Sequence, residues 1–162
     1  MKDGAGLIIS SPQESTISAD ISSEEGAWPF IATGFGSTLT LTGDNSGYKG
    51  RFEVAGVLVA KSANALGSGN VEVELSATLS LEHNGDMYAK SLTLYAGSTT
   101  AFVGDILLNV ESLKLGSSDV TWDLSKYGFS GTESDILMKV VTMDSESVEY
   151  LASSNIETPD NI

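Results

Sequence analysis

The sequence predicts an all-β protein whose short strands wind into a right-handed parallel β-helix, a β-solenoid with aromatic-capped ends. Three observations favour this fold class. Apolar and polar residues alternate in many short runs, small polar clusters separate the runs, and apolar residues keep returning as Leu-x-Leu or Val-x-Val pairs. Alternation with period two is typical of strands, because successive side chains point to opposite faces. An antiparallel β-sandwich has similar strand lengths and is the alternative.

The strand runs follow one another through the middle of the chain, at residues 37–42, 51–54, 71–75, 78–81, 91–94 and 112–115. Between them lie clusters rich in Gly, Asn, Asp and Ser, which suit tight corners, at residues 43–47, 66–69, 83–86 and 116–119. The 3 prolines, Pro12, Pro29 and Pro159, lie outside this strand-rich middle. A missing amide donor therefore interrupts none of the predicted ladders.

The paired aliphatic residues favour the solenoid over the sandwich. In a solenoid, successive coils lie parallel and equivalent side chains stack in columns. We expect ten such residues to face inward: Leu39, Leu41, Val57, Val59, Leu79, Leu81, Leu92, Leu94, Leu113 and Leu115. Antiparallel strands joined by hairpins would contradict this expectation.

Composition limits the classes of partner. The chain of 162 residues is long enough for the core of one domain, and its net charge of -14 predicts repulsion from nucleic acid and from anionic lipid. Without cysteine, stability must come from burial and backbone hydrogen bonds. We expect a single solenoid domain over residues 1–143 and a polar C-terminal segment over residues 144–162, forming a short helix or a tail.

One stretch resembles a known repeat. It begins with Gly34-Phe35-Gly36-Ser37-Thr38-Leu39-Thr40-Leu41, passes through the corner Ala65-Leu66-Gly67-Ser68-Gly69, and ends with Ala77-Thr78-Leu79-Ser80-Leu81. These residues resemble the autotransporter-associated β-strand repeat, also called the passenger-associated transport repeat. The positions that carry the repeat pattern are Gly43, Asn45, Gly50, Ala65, Leu66, Gly67 and Gly69. The resemblance covers residues 34–81 in one clear copy, and Lys49-Gly50-Arg51-Phe52 departs from the Gly-rich and Thr-rich turn of the family.

The resemblance implies a structural or adhesive role. Such repeats belong to the β-solenoid passenger regions of bacterial autotransporter-like surface proteins. It implies a non-enzymatic segment of a larger chain, located on the bacterial outer surface or secreted, whose partner is a host or matrix glycan or protein. The signal peptide and the translocator barrel of such a protein are not in this sequence, and the segment is not expected to insert in a membrane.

Large aromatic residues near the two ends have two interpretations. We expect Trp28 at one end, and Trp122 with Tyr127 at the other, to cover the open ends of the core. The alternative is that they form a platform for a sugar ring, which would make the chain a carbohydrate-binding module. A further alternative is a β-rich structural subunit of a virion or filament.

No motif predicts catalysis, a cofactor or a metal site. His83, the only histidine, lies beside the turn residues Asn84-Gly85. Two carboxylate pairs remain formal candidates for acid–base catalysis, Asp119 with Asp123 and Glu133 with Asp135. Calcium binding would use Asp44 with Asn45, or Asp119 with Asp123, although turn formation is the simpler explanation of these residues. We therefore predict that the chain is not an enzyme.

Overall fold

The structure is a computed structural model that describes residues 4–10, 13–24, 29–128 and 138–158. Trp28, Glu133 and Asp135 lie outside the described residues, so the predictions made for them have no structural counterpart. The described chain forms fourteen strands and one helix. In chain order they are β1 Gly6–Ile9, β2 Glu14–Ile17, β3 Phe30–Thr33, β4 Thr38–Leu41, β5 Arg51–Val54, β6 Val57–Ala60, β7 Asn70–Val73, β8 Thr78–Glu82, β9 Gly85–Leu94, β10 Thr99–Gly104, β11 Ile106–Leu115, β12 Thr121–Tyr127, β13 Met138–Met143, α1 Ser145–Ala152 and β14 Asn155–Glu157.

The strands alternate between two parallel sheets. The first sheet has the order β1-β3-β5-β7-β9-β11-β13, and the second has the order β14-β12-β10-β8-β6-β4-β2. Consecutive strands therefore lie in opposite sheets, and each strand pairs in parallel with the strand two places along the chain. This topology confirms the parallel β-solenoid and rules out the antiparallel sandwich for the described chain.

Like side chains stack in register inside the solenoid. Leu39 pairs with Leu58, and Leu58 pairs with Leu79, in one column of the second sheet. Phe52, Val71, Leu92 and Leu113 form the facing column of the first sheet. All of these side chains are at most 1% exposed, so the columns are the hydrophobic core.

The predicted inward pairs are confirmed except in β6. The eight leucines of those pairs are buried, but Leu58 and Ala60 face the core in place of Val57 and Val59. The β6 sequence Val57-Leu58-Val59-Ala60 is apolar at every position. The alternation of apolar and polar residues therefore cannot indicate which of its residues face the core. A shift of one residue exchanges the two faces of a strand, and here only the pairing with β4 and β8 decides which face is buried.

A turn repeats where the chain passes from the first sheet to the second. The amides of Ser37, Ala77 and Ser98 each donate a hydrogen bond to the carbonyl oxygen three residues earlier, at 3.0, 3.1 and 3.1 Å. The residue before each donor has a positive φ, 76° at Gly36, 59° at Ser76 and 71° at Gly97. This left-handed conformation favours glycine, so Ser76 is the strained member of the series.

The residues after Met143 complete the last coil. The carboxylate of Asp144 caps α1 by accepting a hydrogen bond from the amide of Ser147 at 2.7 Å. The Ser147 side chain is fully buried, and its Oγ accepts a hydrogen bond from the amide of Leu115 at 2.9 Å. After the helix, β14 pairs with β12. No helix in the described part of the chain is long and apolar enough to cross a membrane.

Candidate functional site

The resembled repeat forms a corner between the two sheets, which we call the asparagine corner, residues 43–50 and 62–69. The Asn45 side chain is fully buried. Its Oδ1 accepts a hydrogen bond from the amide of Ile21 at 2.9 Å, and its Nδ2 donates to the carbonyl oxygen of Ala65 at 2.8 Å. One side chain therefore joins three successive coils. Both ends of the Asn45 amide are therefore used in hydrogen bonds between coils.

Tyr48 fills the space beneath this corner. Its ring is fully buried and lies 4.9 Å from the ring of Phe52, centroid to centroid. The hydroxyl donates to the backbone oxygens of Arg51 at 3.0 Å and Pro29 at 3.3 Å. Burial raises the pKa of Tyr48 well above its ordinary value, so the phenol stays protonated as a donor at neutral pH.

The corner glycines are required mainly by close packing between coils. A Cβ on Gly69 would overlap the carbonyl oxygen of Gly50, and a Cβ on Gly50 would overlap that of Pro29. Of the five corner glycines, only Gly67 has a positive φ, 69°. Coil-to-coil contact, rather than the turn conformation expected from the sequence, therefore accounts for most of this pattern.

The aromatic residues near the C-terminal end lie against the core. Trp122 is 6% exposed, and its Nε1 donates to Ser154 Oγ at 2.9 Å. Tyr127 is 7% exposed, and its hydroxyl lies 3.4 Å from Asp105 Oδ1. Trp122 also forms one wall of a small apolar cavity of about 220 Å³ between β12, β14 and α1. These positions fit the covering of the core end better than an open platform for sugar.

The other candidate polar residues are spread along the solenoid. Asp44 accepts a hydrogen bond from the amide of Ser46 at 2.9 Å, which lowers the pKa of its carboxyl and makes it a turn residue. Asp119 precedes β12 and Asp123 lies within it, where Asp123 Oδ1 accepts from the amide of Ser125 at 2.9 Å. The described residues contain no cluster of three or more metal-ligating side chains.

Two adjoining depressions run across the outer face of the first sheet, and we call them together the basic groove. Their volumes are about 540 and 600 Å³, and both are lined by Ser68 and Lys90. Four cations line the groove, Lys49, Arg51, Lys90 and Lys139, against two carboxylates, Glu72 and Glu111. Arg51 pairs with Glu53 at 2.5 Å, whereas the three lysines form no ion pair with a described carboxylate.

The groove follows the solenoid axis. Tyr88, Asn109 and Lys139 lie in register on β9, β11 and β13, so they form one line across three neighbouring strands. Tyr88 is 48% exposed. Asn109 Nδ2 lies 3.3 Å from Asp86 Oδ1, which helps to hold the side chain in place. The line continues past Lys90 toward the bare backbone at Gly69 and Gly50.

Sequence reasoning missed this groove because its cations are far apart along the chain. Lys49 and Lys139 are separated by 90 positions, and no local motif links them. The scarcity of cations was the available signal, since 4 of only 8 lie here. Only the strand register brings them to one face.

Comparison with known proteins gave no match, whether to a family model, to a curated protein or to a solved structure. The described geometry therefore defines the class, a parallel β-solenoid, and the function is argued from the residues alone.

Proposed function

We propose that the chain is a non-enzymatic structural and adhesive segment of a bacterial cell-surface or secreted protein of the autotransporter type. The observation that supports the proposal best is the asparagine corner. The positions that resemble the passenger repeat are the ones that interlock successive coils, through the buried Asn45 and the close approach of Gly69 to Gly50.

A stack of coils has the properties of a stalk that exposes a binding surface. Each inner coil contacts its two neighbours through backbone ladders and core columns, so bending the stack would break hydrogen bonds and apolar packing together. The side chains on the outer faces of the sheets form neither the backbone ladders nor the core columns. Partner contacts can therefore spread over the outer face of a sheet and over the corners, while the core keeps the spacing of those contacts fixed.

The proposal assigns no catalytic residue. The two carboxylates near His83 in sequence have other partners: Glu82 pairs with Lys61 at 3.0 Å, and Asp86 accepts a hydrogen bond from Asn109. The amide of His83 itself donates to the carbonyl oxygen of Val103 at 3.2 Å, as part of the corner between β8 and β9. These contacts support a structural role for the turn that contains the only histidine.

Surface exposure of the native protein tests this proposal. Antibodies raised against the purified chain should label intact bacteria that produce it, without permeabilisation, and external protease should remove the signal. A cytoplasmic protein of the same cells serves as the control for leakage. Labelling only after the cells are opened would overturn the proposal.

A carbohydrate-binding role is the second candidate. The observation that favours it is the exposed ring of Tyr88 beside Lys90 in the basic groove, rather than Trp122, which is buried.

A further inference from the structure

We propose that the basic groove binds a linear acidic polysaccharide, with carboxylate or sulfate groups on the sugar chain held by Lys90 and Lys139. This inference names a partner for the proposed adhesive role. It rests on the proposed function because the chain meets such a polymer only outside the cell. The binding itself is a property of the purified chain.

The charge distribution is the first support. The chain has 8 cations and a net charge of -14, and 4 of the cations line this one groove with 2 carboxylates. One of the four, Arg51, is paired with Glu53, which leaves three lysines against two carboxylates. Lys49, Lys90 and Lys139 are exposed and form no ion pair with a described carboxylate. In about 0.15 M salt, charges more than about 8 Å apart are largely screened. Distant carboxylates therefore contribute little to the potential in the groove, where the three lysines are the groups that can pair with an acidic polymer.

The length and direction of the groove are the second support. It crosses five neighbouring strands, from Arg51 on β5 to Lys139 on β13. Strands about 4.8 Å apart make this a path of roughly 19 Å along the axis. One strand spacing is close to the length of one sugar residue in an extended chain. A linear polymer lying along the axis therefore meets cations on every second strand, at β5, β9 and β13, with a carboxylate on each strand between them.

The surface chemistry of the groove is the third support. Lys90 and the half-exposed ring of Tyr88 lie on the same strand, two residues apart and on the same face. An aromatic ring offers an apolar face for the C–H groups of a sugar, while an ammonium group pairs with the acidic substituent. At Gly50 and Gly69 the floor is bare backbone, which lets a polymer approach closely.

The two carboxylates of the groove bear on selectivity. Glu72 and Glu111 lie among the cations, so a polymer with closely spaced charges would place some of them against a carboxylate. A DNA strand carries one charge per about 3.4 Å, whereas polygalacturonate carries one charge per sugar residue. Repulsion at these two positions favours the sparser polymer.

The test is titration calorimetry of the purified full chain in 0.15 M salt with polygalacturonate, chondroitin sulfate, neutral dextran and single-stranded poly-dT. We expect binding to one or both acidic polysaccharides and none to dextran. The stronger of the two identifies the anionic group. The double variant Lys90→Gln/Lys139→Gln should bind about tenfold more weakly, as expected from the loss of two exposed ion pairs.

A matched control changes the same charge elsewhere. Lys114 and Lys126 lie outside the groove and, like the groove lysines, are exposed and form no ion pair with a described carboxylate. Lys114→Gln/Lys126→Gln should keep affinity within about twofold if binding is local. Tyr88→Phe should keep affinity and Tyr88→Ala should reduce it, because the ring is what the sugar contacts. Circular dichroism of each variant should match that of the parent, since all of these side chains, including the half-exposed Tyr88, lie outside the core.

Three results would overturn the inference. They are no binding to either acidic polysaccharide, an equal loss in the two double variants, or tighter binding of poly-dT than of the polysaccharides. None of them bears on whether antibodies label intact cells. Failure of the groove and failure of the surface role are therefore distinguishable.

Discussion

Two regions of the solenoid hold their coils together in different ways. In the short-strand coils, residues 30–84, strands β3 to β8 have only four or five residues, and the asparagine corner fills the gap between the sheets. In the long-strand coils, residues 85–128, strands β9 and β11 have ten residues each and pair along nearly their whole length. The first region relies on buried side chains at a corner, and the second on an extended backbone ladder.

The difference shows where each region tolerates change. A corner held by specific polar contacts needs particular residues, because an unmade hydrogen bond in a buried site is costly. A long ladder is made by the backbone and depends less on any one side chain. The long-strand coils even contain two buried hydroxyls, of Ser98 and Thr100, without a hydrogen-bond partner among the described residues.

The largest expected effect is at Gly69 in the short-strand coils. Gly69→Ala would place a methyl group against the backbone of Gly50, which cannot move without disturbing the ladder. We expect a loss of about 3 kcal/mol in the free energy of unfolding, measured by urea titration. In Gly116→Ala, at the end of β11, the new Cβ would meet the side chain of Tyr95 at 3.3 Å, and the loss should be under about 1 kcal/mol. Equal losses would remove the contrast between the regions.

Asn45→Ala should come next. It leaves the amide of Ile21 and the carbonyl oxygen of Ala65 without their partner in a buried corner, which should cost about 2 to 3 kcal/mol. Asn109→Ala in the long-strand coils removes only contacts of 3.3 to 3.4 Å near the surface and should cost less than about 0.5 kcal/mol. Thermal unfolding of the two variants measures both. A stable Asn45→Ala variant would show that the corner does not need its asparagine.

One substitution should have opposite signs in the two regions. Thr100→Val removes a buried hydroxyl without a partner and should stabilise the fold by about 1 kcal/mol. Thr33→Val removes the Oγ1 that accepts a hydrogen bond from the amide of Gly56 at 3.2 Å, and should destabilise it by about 1 kcal/mol. Urea midpoints compare the two. A loss of stability in Thr100→Val would mean that its hydroxyl is satisfied after all.

The smallest expected effect is electrostatic. Partial burial, with the charges of Glu72 and Glu53, raises the pKa of Glu74. A raised carboxyl pKa contributes stability below its ordinary value near 4.5, and this contribution is lost as pH rises through the raised value. Glu74→Gln should therefore stabilise the fold at pH 7, by less than about 0.5 kcal/mol after solvent screening.

The pH dependence checks the cause. Below about pH 4 the wild-type carboxyl is protonated, and the advantage of Glu74→Gln should disappear in urea titrations at that pH. The same column in the long-strand coils contains Thr93 and Lys114 in place of Glu53 and Glu72, so no such acidic column exists there. An equal gain at pH 7 and at low pH would point to packing rather than charge.

The sequence by itself determined the fold class and most of the core. Period-two alternation with Leu-x-Leu pairs predicted strands and inward residues. Successive side chains of a strand point to opposite faces, so the face of each residue follows from its position in the strand. It did not predict β10, where the inward position in register with Leu79 is the polar Thr100. It also placed β6 in the wrong phase, because four consecutive apolar residues have no polar face.

Only the tertiary structure decided which distant residues meet. Asn45 lies in a corner cluster that the sequence marks, but its hydrogen-bond partners Ile21 and Ala65 follow from the stacking of three coils. The basic groove likewise exists because residues about twenty positions apart occupy neighbouring strands. Coil lengths here vary between neighbours, so register is fixed by the packing of the core and the ladder bonds rather than by any local signal in the chain.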